Sequence, residues 1–336
     1  MRAAEATAPA RVALAGNPSD GYGGRTISLA IVNYTARVTV AEAAELEIVP
    51  APQDEVRFAS VGALADDVRA NGYYGGLRLL KAAVRRFAHH CAERGAPIDE
   101  RRFSIRYETD IPRGVGLGGS SAIVTAAIRA MAAHVGLEVD REELPDLALS
   151  VETRELGITA GLQDRVAQAF GGLTYMDFGP ELVARRGHGA YEALDASALP
   201  PLLVAHLERA AEPSDAFHSD LRLRFDAGEP AVVRAMARLA ELADAAREAA
   251  LAGDREALGG AMDESFDVRR SIAALDPRHV RMIELARSAD AAANFAGSGG
   301  AIVALARGGA DADGAAGSLR ADGCEVAECR PAAATA

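Results

Sequence analysis

Tryptophan is absent from this 336-residue chain, aromatic residues make up only 5% of it, and it carries three cysteines. An odd set of thiols, Cys91, Cys324 and Cys329, in a chain this long argues against a disulfide framework and for unpaired thiols in a reducing compartment. Long hydrophobic runs are missing too. The best candidate for a membrane span, 122–137, is interrupted by Arg129 and His134 and falls short of the roughly 18 residues required. Positive charge is in short supply: 36 Lys and Arg face 48 Asp and Glu, for a net charge of −12. The pairs Arg85-Arg86, Arg101-Arg102, Arg185-Arg186 and Arg269-Arg270 are scattered, so no basic stripe is available for a nucleic-acid backbone. The first ten residues contain Glu5 and no apolar segment of a secretory signal. The chain reads as cytoplasmic, with a short frayed start, binding neither nucleic acid nor membrane.

What is present is a hydrophobic content of 49%, with alanine plainly over-used, which predicts an aliphatic core and many Ala-rich helices. RVALA (11–15) runs into the turn-rich GNPSDGYGG, after which ISLAIVNYTARVTV and ELEIV alternate as strands. Helical spacing follows from Tyr73 to Glu93, ended by Gly95 and Pro97. RFSIRYET (102–109) alternates again, and a glycine-rich turn then opens a small-residue helix that Ser120 or Ser121 caps and Gly136 closes. A helix over 144–156, a helix becoming a strand at LTYMDF, and breaks at Gly179-Pro180 and 187–189 complete the first half. The second half reads as a strand at 201–208, helices over 229–252, 254–270 and 277–292, and a loop–strand–helix–strand tail. The sum is an α+β chain of two lobes that change over near 185–200.

Three features carry chemistry. Gly114-Val115-Gly116-Leu117-Gly118-Gly119 matches G-x-G-x-x-G, but Pro112 and Arg113 separate it from the strand, and the next acid at a suitable distance, Glu138, follows the helix directly. No G-K-[ST] closes it as a Walker A. What remains is a loop of bare N–H groups at a helix start, suited to phosphates, although a glycine turn with an ordinary serine cap has the same sequence. Glu152 on a helix and Asp164 beyond the turn ITAG form the second feature. One acid can complete a Mg²⁺ shell with a serine hydroxyl, and the other can accept a proton from an alcohol. The third, AGSGGA (296–301), allows close backbone approach to a ligand or to the first glycine loop.

Taken together, Ala8 to Gly24, Ile111 to Ala122 and Asn294 to Ala301 resemble the three motifs of the GHMP small-molecule kinases: an N-terminal strand and loop, a phosphate loop of P-x-x-x-G-L-G-S-S type, and a late Gly-Ser-Gly-Gly segment. Further similar segments are YYGGLRLL (73–80), GLQDRVAQAFGGLTYMDF (161–178), PSDAFHSDLRLRF (213–225) and SFDVRR (265–270). They run in order through nearly the whole chain and are most similar to the family's glucuronate-phosphorylating branch. The resemblance implies a two-lobed fold. An N-terminal ATP-binding lobe related to the second domain of ribosomal protein S5 is expected over 8–190, an α+β C-terminal lobe over 198–331, and the site between them.

By position, the resemblance implies that Pro112, Gly114, Gly116, Leu117, Gly118, Gly119, Ser120 and Ser121 hold the ATP phosphates. Ser120 and Glu152 fall at the Mg²⁺ positions; because Gly119 stands where most of the family has its first serine, Ser121 is the alternative to Ser120. Asp164 matches the general base, and Arg11 the arginine beside the reacting hydroxyl. Asp20, with Tyr22 near it, falls where sugar hydroxyls bind. A substrate carboxylate calls for an arginine fork: Arg25 in the sugar loop is the first choice, followed by Arg269 and Arg222, and His218 is a further possible contact. The expected reaction is ATP- and Mg²⁺-dependent phosphorylation of D-glucuronate at its anomeric hydroxyl. A kinase for galacturonate or a neutral hexose would keep the phosphate site and differ in the sugar loop. A non-catalytic sugar sensor would have lost the base or the metal ligands, and all of these are present.

Overall fold

A computed structural model describes residues 3–54, 59–62, 75–207, 215–307 and 312–335. The first sheet is built around one long strand, β2 (Arg25–Glu42), whose β-branched and aliphatic residues keep it extended. Antiparallel β1 (Ala3–Ala15) follows one edge of β2 for most of its length. The other edge is shared: β4 (Phe103–Thr109) pairs with residues 36–42, and β5 (Leu173–Asp177) with residues 25–29. β3 (Glu47–Ile48) and β6 (Ala190–Leu194) extend the sheet beyond β4 and β5. Between β4 and β5 the C-terminal tail closes onto β2: Val32 N–H donates to Arg330 O, and Ala332 N–H to Ala30 O, each at 2.8 Å.

Helices cover this sheet: α1 (Gly76–Glu93) packs against α2 (Gly119–Val135), and α2 lies on β1 and β2. α2 is buried on nearly every side, and its small side chains allow that close approach. α3 (Leu144–Ser150) runs into a π-helical turn at Val151–Glu155, followed by α4 (Gln163–Phe170) and a short α5 (Pro180–Arg186). The second sheet is antiparallel in the order β10 (Cys324–Glu328), β7 (Leu202–Leu207), β9 (Ala301–Ala306), β8 (Ala291–Phe295). With it come α6 (Asp215–Asp226), α7 (Pro230–Ala252), α8 (Arg255–Ile272), α9 (Pro277–Ser288) and α10 (Ala312–Ala321). One aliphatic core runs through the first sheet and into the second, from Leu14, Ile27 and Met131 to Leu202 and Val303.

Several expectations need correction. From Ala3 on, the start is not frayed: β1 begins there, paired with Ala41. The helix expected over 277–292 ends at Ser288, and Asp290 at φ 57° turns the chain into β8. AAANF is a helix-like composition that full burial between neighbours makes a strand. The segment read only as broken at 179–189 holds α5, and β6 follows it. Tyr73, Tyr74 and residues 213–214 of the similar segments lie outside the described residues, as does the side chain of His218. The three cysteines are free and buried. Among the described residues no helix is long and apolar enough to cross a membrane.

Candidate active site

Register shifts in β1 at Pro9/Ala10 and Ala13/Ala15 bracket Arg11; bulges of this kind re-aim a side chain. The guanidinium is only 4% exposed, so each of its donors requires a partner. Nε and Nη2 both donate to Oδ1 of Asp164, at 2.7 and 2.6 Å. Nη1 donates to Gly116 O at 2.6 Å and to Ala296 O at 2.7 Å. One side chain thus joins the acid to both glycine loops. The backbone repeats the linkage, with Arg11 N–H on Leu117 O at 3.1 Å and Ala13 N–H on Ala296 O at 2.8 Å.

The phosphate-type loop is shaped by Gly114, Gly116 and Gly118, all at φ between 74° and 79°, where L side chains are strained. Gly116 also abuts the second loop: a Cβ there would stand 2.7 Å from Ser298 N. α2 begins at Gly119 with Gly118 as its N-cap and no side-chain cap. The serine cap expected from the sequence is therefore absent, because Ser121 is buried and its hydroxyl donates to Gly118 O at 2.9 Å. Ser120 is half-buried, and its hydroxyl has no partner among the described residues. Leu117 is buried beneath the loop and Pro112 half-buried at its start. The first N–H groups of α2 stay unclaimed by any side chain, an arrangement that attracts anions.

Asp164 sits in the first turn of α4, where the helix dipole favours an anion. Its second oxygen, Oδ2, would be 3.4 Å from a Cβ on Gly118, so it faces the mouth of the loop. Gln168, one turn on, donates to Gly118 O at 2.8 Å and fixes α4 against that loop. Glu152 is 2% exposed in the π-helical turn, and Arg165, itself 4% exposed, forms an ion pair with it. Arg165 also donates to Gly161 O at 2.7 Å. π-Turns often mark functional positions.

Asp20 stands in the 3₁₀ turn Ser19–Tyr22 and accepts Gln163 N–H at 3.2 Å. Burial pushes its carboxyl up to about 6; Asp164 adds to the rise, while the Gln163 N–H and Arg11 oppose it. Beneath this turn Asn17 donates to Gln163 Oε1 at 2.7 Å. Asn17 in turn accepts from Arg269 at 3.0 Å, so a chain of buried polar groups runs from α8 to the start of α4.

The three arginines considered for a carboxylate differ in their surroundings. Arg269 is 1% exposed and donates to Gly297 O at 2.6 Å, Ser298 O at 2.9 Å and Asn17. It is a strut for the second glycine loop, with Nη1 and Nη2 given to these oxygens. Burial, with Arg11 nearby, lowers its pKa to about 10. Arg25 is turned towards α7, with Nε 2.8 Å from Asp244. Arg222, on α6, lies over the Tyr22 ring, 4.4 Å from its centroid, and donates to Gly21 O. Asn17, Gln163, Arg165 and Gln168 were missed from the sequence. Asn17 and Gln163 flank motif residues, but no spacing announces the other two.

Loop, acid and arginine are brought together, and groups of this kind can bind an anion and accept a proton, the chemistry that phosphoryl transfer requires. The family model "GHMP kinases N terminal domain" matches residues 78–172, and "GHMP kinases C terminal" matches 246–323. The chain belongs to the GHMP kinases and is a small-molecule kinase. It is 42% identical to Glucuronokinase 1 of Arabidopsis thaliana over 302 residues, which cover 88% of this chain and 82% of that protein. Probable glucuronokinase 2 of the same plant is 43% identical over 303 residues, again 88% and 82% of the two chains. The fold is also that of Lactococcus lactis galactokinase complexed with galactose, at TM-score 0.75 and 16% identity, covering 100% of this chain and 95% of that one.

Proposed function

We propose that this chain transfers the γ-phosphoryl group of ATP to the anomeric hydroxyl of D-glucuronate, giving glucuronate 1-phosphate and ADP. The similarity to the two plant glucuronokinases over 88% of the chain carries this reading, and the residues around Arg11 agree with it. In the reaction O1 of the sugar attacks the γ-phosphorus, the bond to the β–γ bridging oxygen breaks, and the O1 proton passes to Oδ2 of Asp164. Arg11 keeps the other oxygen of Asp164 engaged, so the carboxylate presents one defined acceptor. Through its bond to Gly116 O the same guanidinium sets the loop whose N–H groups face the phosphates. Catalysis of this kind is mainly positioning and electrostatics.

Pro112, Gly114, Gly116, Leu117, Gly118, Gly119, Ser120 and Ser121 form the nucleotide site in this reading. Ser121 acts as a brace, since its hydroxyl is spent on Gly118 O. Mg²⁺ is bound through one or two carboxylates together with substrate phosphates. The Ser120 hydroxyl, which has no partner among the described residues, and the buried Glu152 carboxylate, paired with Arg165, would be the residues to hold it. The ion would neutralise charge on the β- and γ-phosphates. Asp20 and Tyr22 contact the sugar. Residues 8–190 and 198–331 are the two lobes; the strands of the first sheet lie within 3–194 and those of the second within 202–328.

An ADP-release screen over D-glucuronate, D-galacturonate, D-glucose and D-galactose tests the substrate. Turnover of glucuronate, with phosphorus at C1 by ³¹P NMR, is the expected result. Preference for another sugar would overturn the assignment. Asp164→Asn is expected to lower kcat by about 10²–10⁴-fold, and full turnover by that variant would remove Asp164 as the base.

A further inference from the structure

A uronic acid differs from the parent hexose in one group, the carboxylate on C5, which lies across the ring oxygen from C1. A kinase that prefers the acid needs a cation near the sugar loop with donors left to offer. Arg269 is enclosed and committed to backbone carbonyls, and Arg25 lies 2.8 Å from Asp244 on α7, closer than the 3.7 Å between Arg222 and Asp226. From this we infer that Arg222, on α6, reads the substrate carboxylate; the inference rests on the proposed function and names the residue that sets its selectivity.

Arg222 bonds to Gly21 O, one residue from Asp20, and Asp20 in turn accepts the Gln163 N–H beside Asp164. A short run of contacts therefore leads from the proton acceptor to this guanidinium. The guanidinium lies on the Tyr22 ring, and Tyr22 is set edge-on against Phe225 at 4.8 Å. Stacking uses the flat face of a guanidinium and leaves the donors around its rim directed outward, where they match a carboxylate. The side chain is 40% exposed, and Asp226, the nearest acid among the described residues at 3.7 Å, is itself 59% exposed. Such an exposed pair holds Arg222 only weakly, so a substrate carboxylate can replace it. Both Tyr22 and Arg222 then serve the sugar, one as platform and the other as charge.

The test compares wild type with Arg222→Gln, Arg222→Lys and Arg25→Gln, using D-glucuronate and D-glucose, the latter as substrate and as competitive inhibitor. Loss of a charge-assisted fork is expected to raise the KM for glucuronate about 30-fold. The KM for ATP stays constant, and selectivity over glucose falls by a similar factor. Arg222→Lys recovers part of the loss, because it keeps the charge without the fork. A loss in Arg25→Gln as large as that in Arg222→Gln would put the carboxylate on Arg25 and overturn the inference. An unchanged glucuronate KM in Arg222→Gln, or an equal loss on glucose, overturns the inference. Wild-type turnover is measured first: no turnover of glucuronate at all would sink the proposed function itself, a result distinct from either.

Discussion

Burial keeps the Asp20 carboxyl titrating near 6, well above its ordinary 3.8. The folded state therefore binds this proton more tightly than the unfolded chain does, and that contribution to stability is full below the unfolded pKa and is lost as pH rises through 6. Asp20→Asn keeps an oxygen for the Gln163 N–H and removes the charge. It should raise the melting temperature relative to wild type at pH 8, with the gain vanishing towards pH 4, in thermal melts across that range. The same change should reduce activity if Asp20 holds sugar hydroxyls, the usual conflict between stability and function at a site. Arg11 and Asp164 are balanced differently. Arg11 is buried against the half-buried Asp164, and removing the acid strands the guanidinium. Asp20, Asp164 and Arg11 were legible in the sequence because each belongs to a short uninterrupted motif. The Arg269 strut was not: its acceptors are carbonyls at Gly297 and Ser298, and a backbone oxygen leaves no mark in a sequence.

The two glycine loops are positioned by each other. A Cβ on Gly297 would stand 2.1 Å from Gly116 O and 2.7 Å from Nη1 of Arg11, so Gly297→Ala must push the loops apart. The expected outcome is a loss of at least about tenfold in kcat/KM for ATP, equivalent to about 1.4 kcal/mol, with the circular-dichroism spectrum unchanged. Wild-type kinetics in that variant would show that the loops need not touch. Most elements could be placed from periodicity, including α1, α2, α7 and α8, whose apolar faces repeat over three turns or more. The failures are short segments. β8 is five residues of AAANF, with no alternation to separate it from the Ala-rich helices, and only its place inside the second sheet makes it a strand. α5 and β6 are equally short and lie among glycines that read as breaks. The π-helical turn carrying Glu152 also escaped, since it looks like the continuation of α3.

At the scale of the molecule, the tail ties the two sheets together. From β10 the chain returns to the first sheet, fills the gap on β2 between β4 and β5, and ends with Thr335 N–H on Phe170 O at 2.7 Å. Phe170 closes α4, the helix that carries Asp164. Gly171 is needed for this contact, as a Cβ there would meet Ala333 O at 2.2 Å. Deleting residues 330–336 should lower the melting temperature by several degrees, at about 2–4 °C per kcal/mol for a domain of 150–250 residues, and should reduce kcat through α4. A melt and a turnover assay on the truncated chain check both. The net charge of −12 adds a constraint, because an acidic molecule must draw an anionic nucleotide inward against its own field. The site answers with local cations and N–H groups, of which Arg11 is the most committed. Its partners lie 105, 153 and 285 positions further along the chain. On a ribosome adding about 5–20 residues per second, this guanidinium waits roughly 15–60 s for its last acceptor to be synthesised. Until then it must stay in water, so the site can close only after Ala296 has been made.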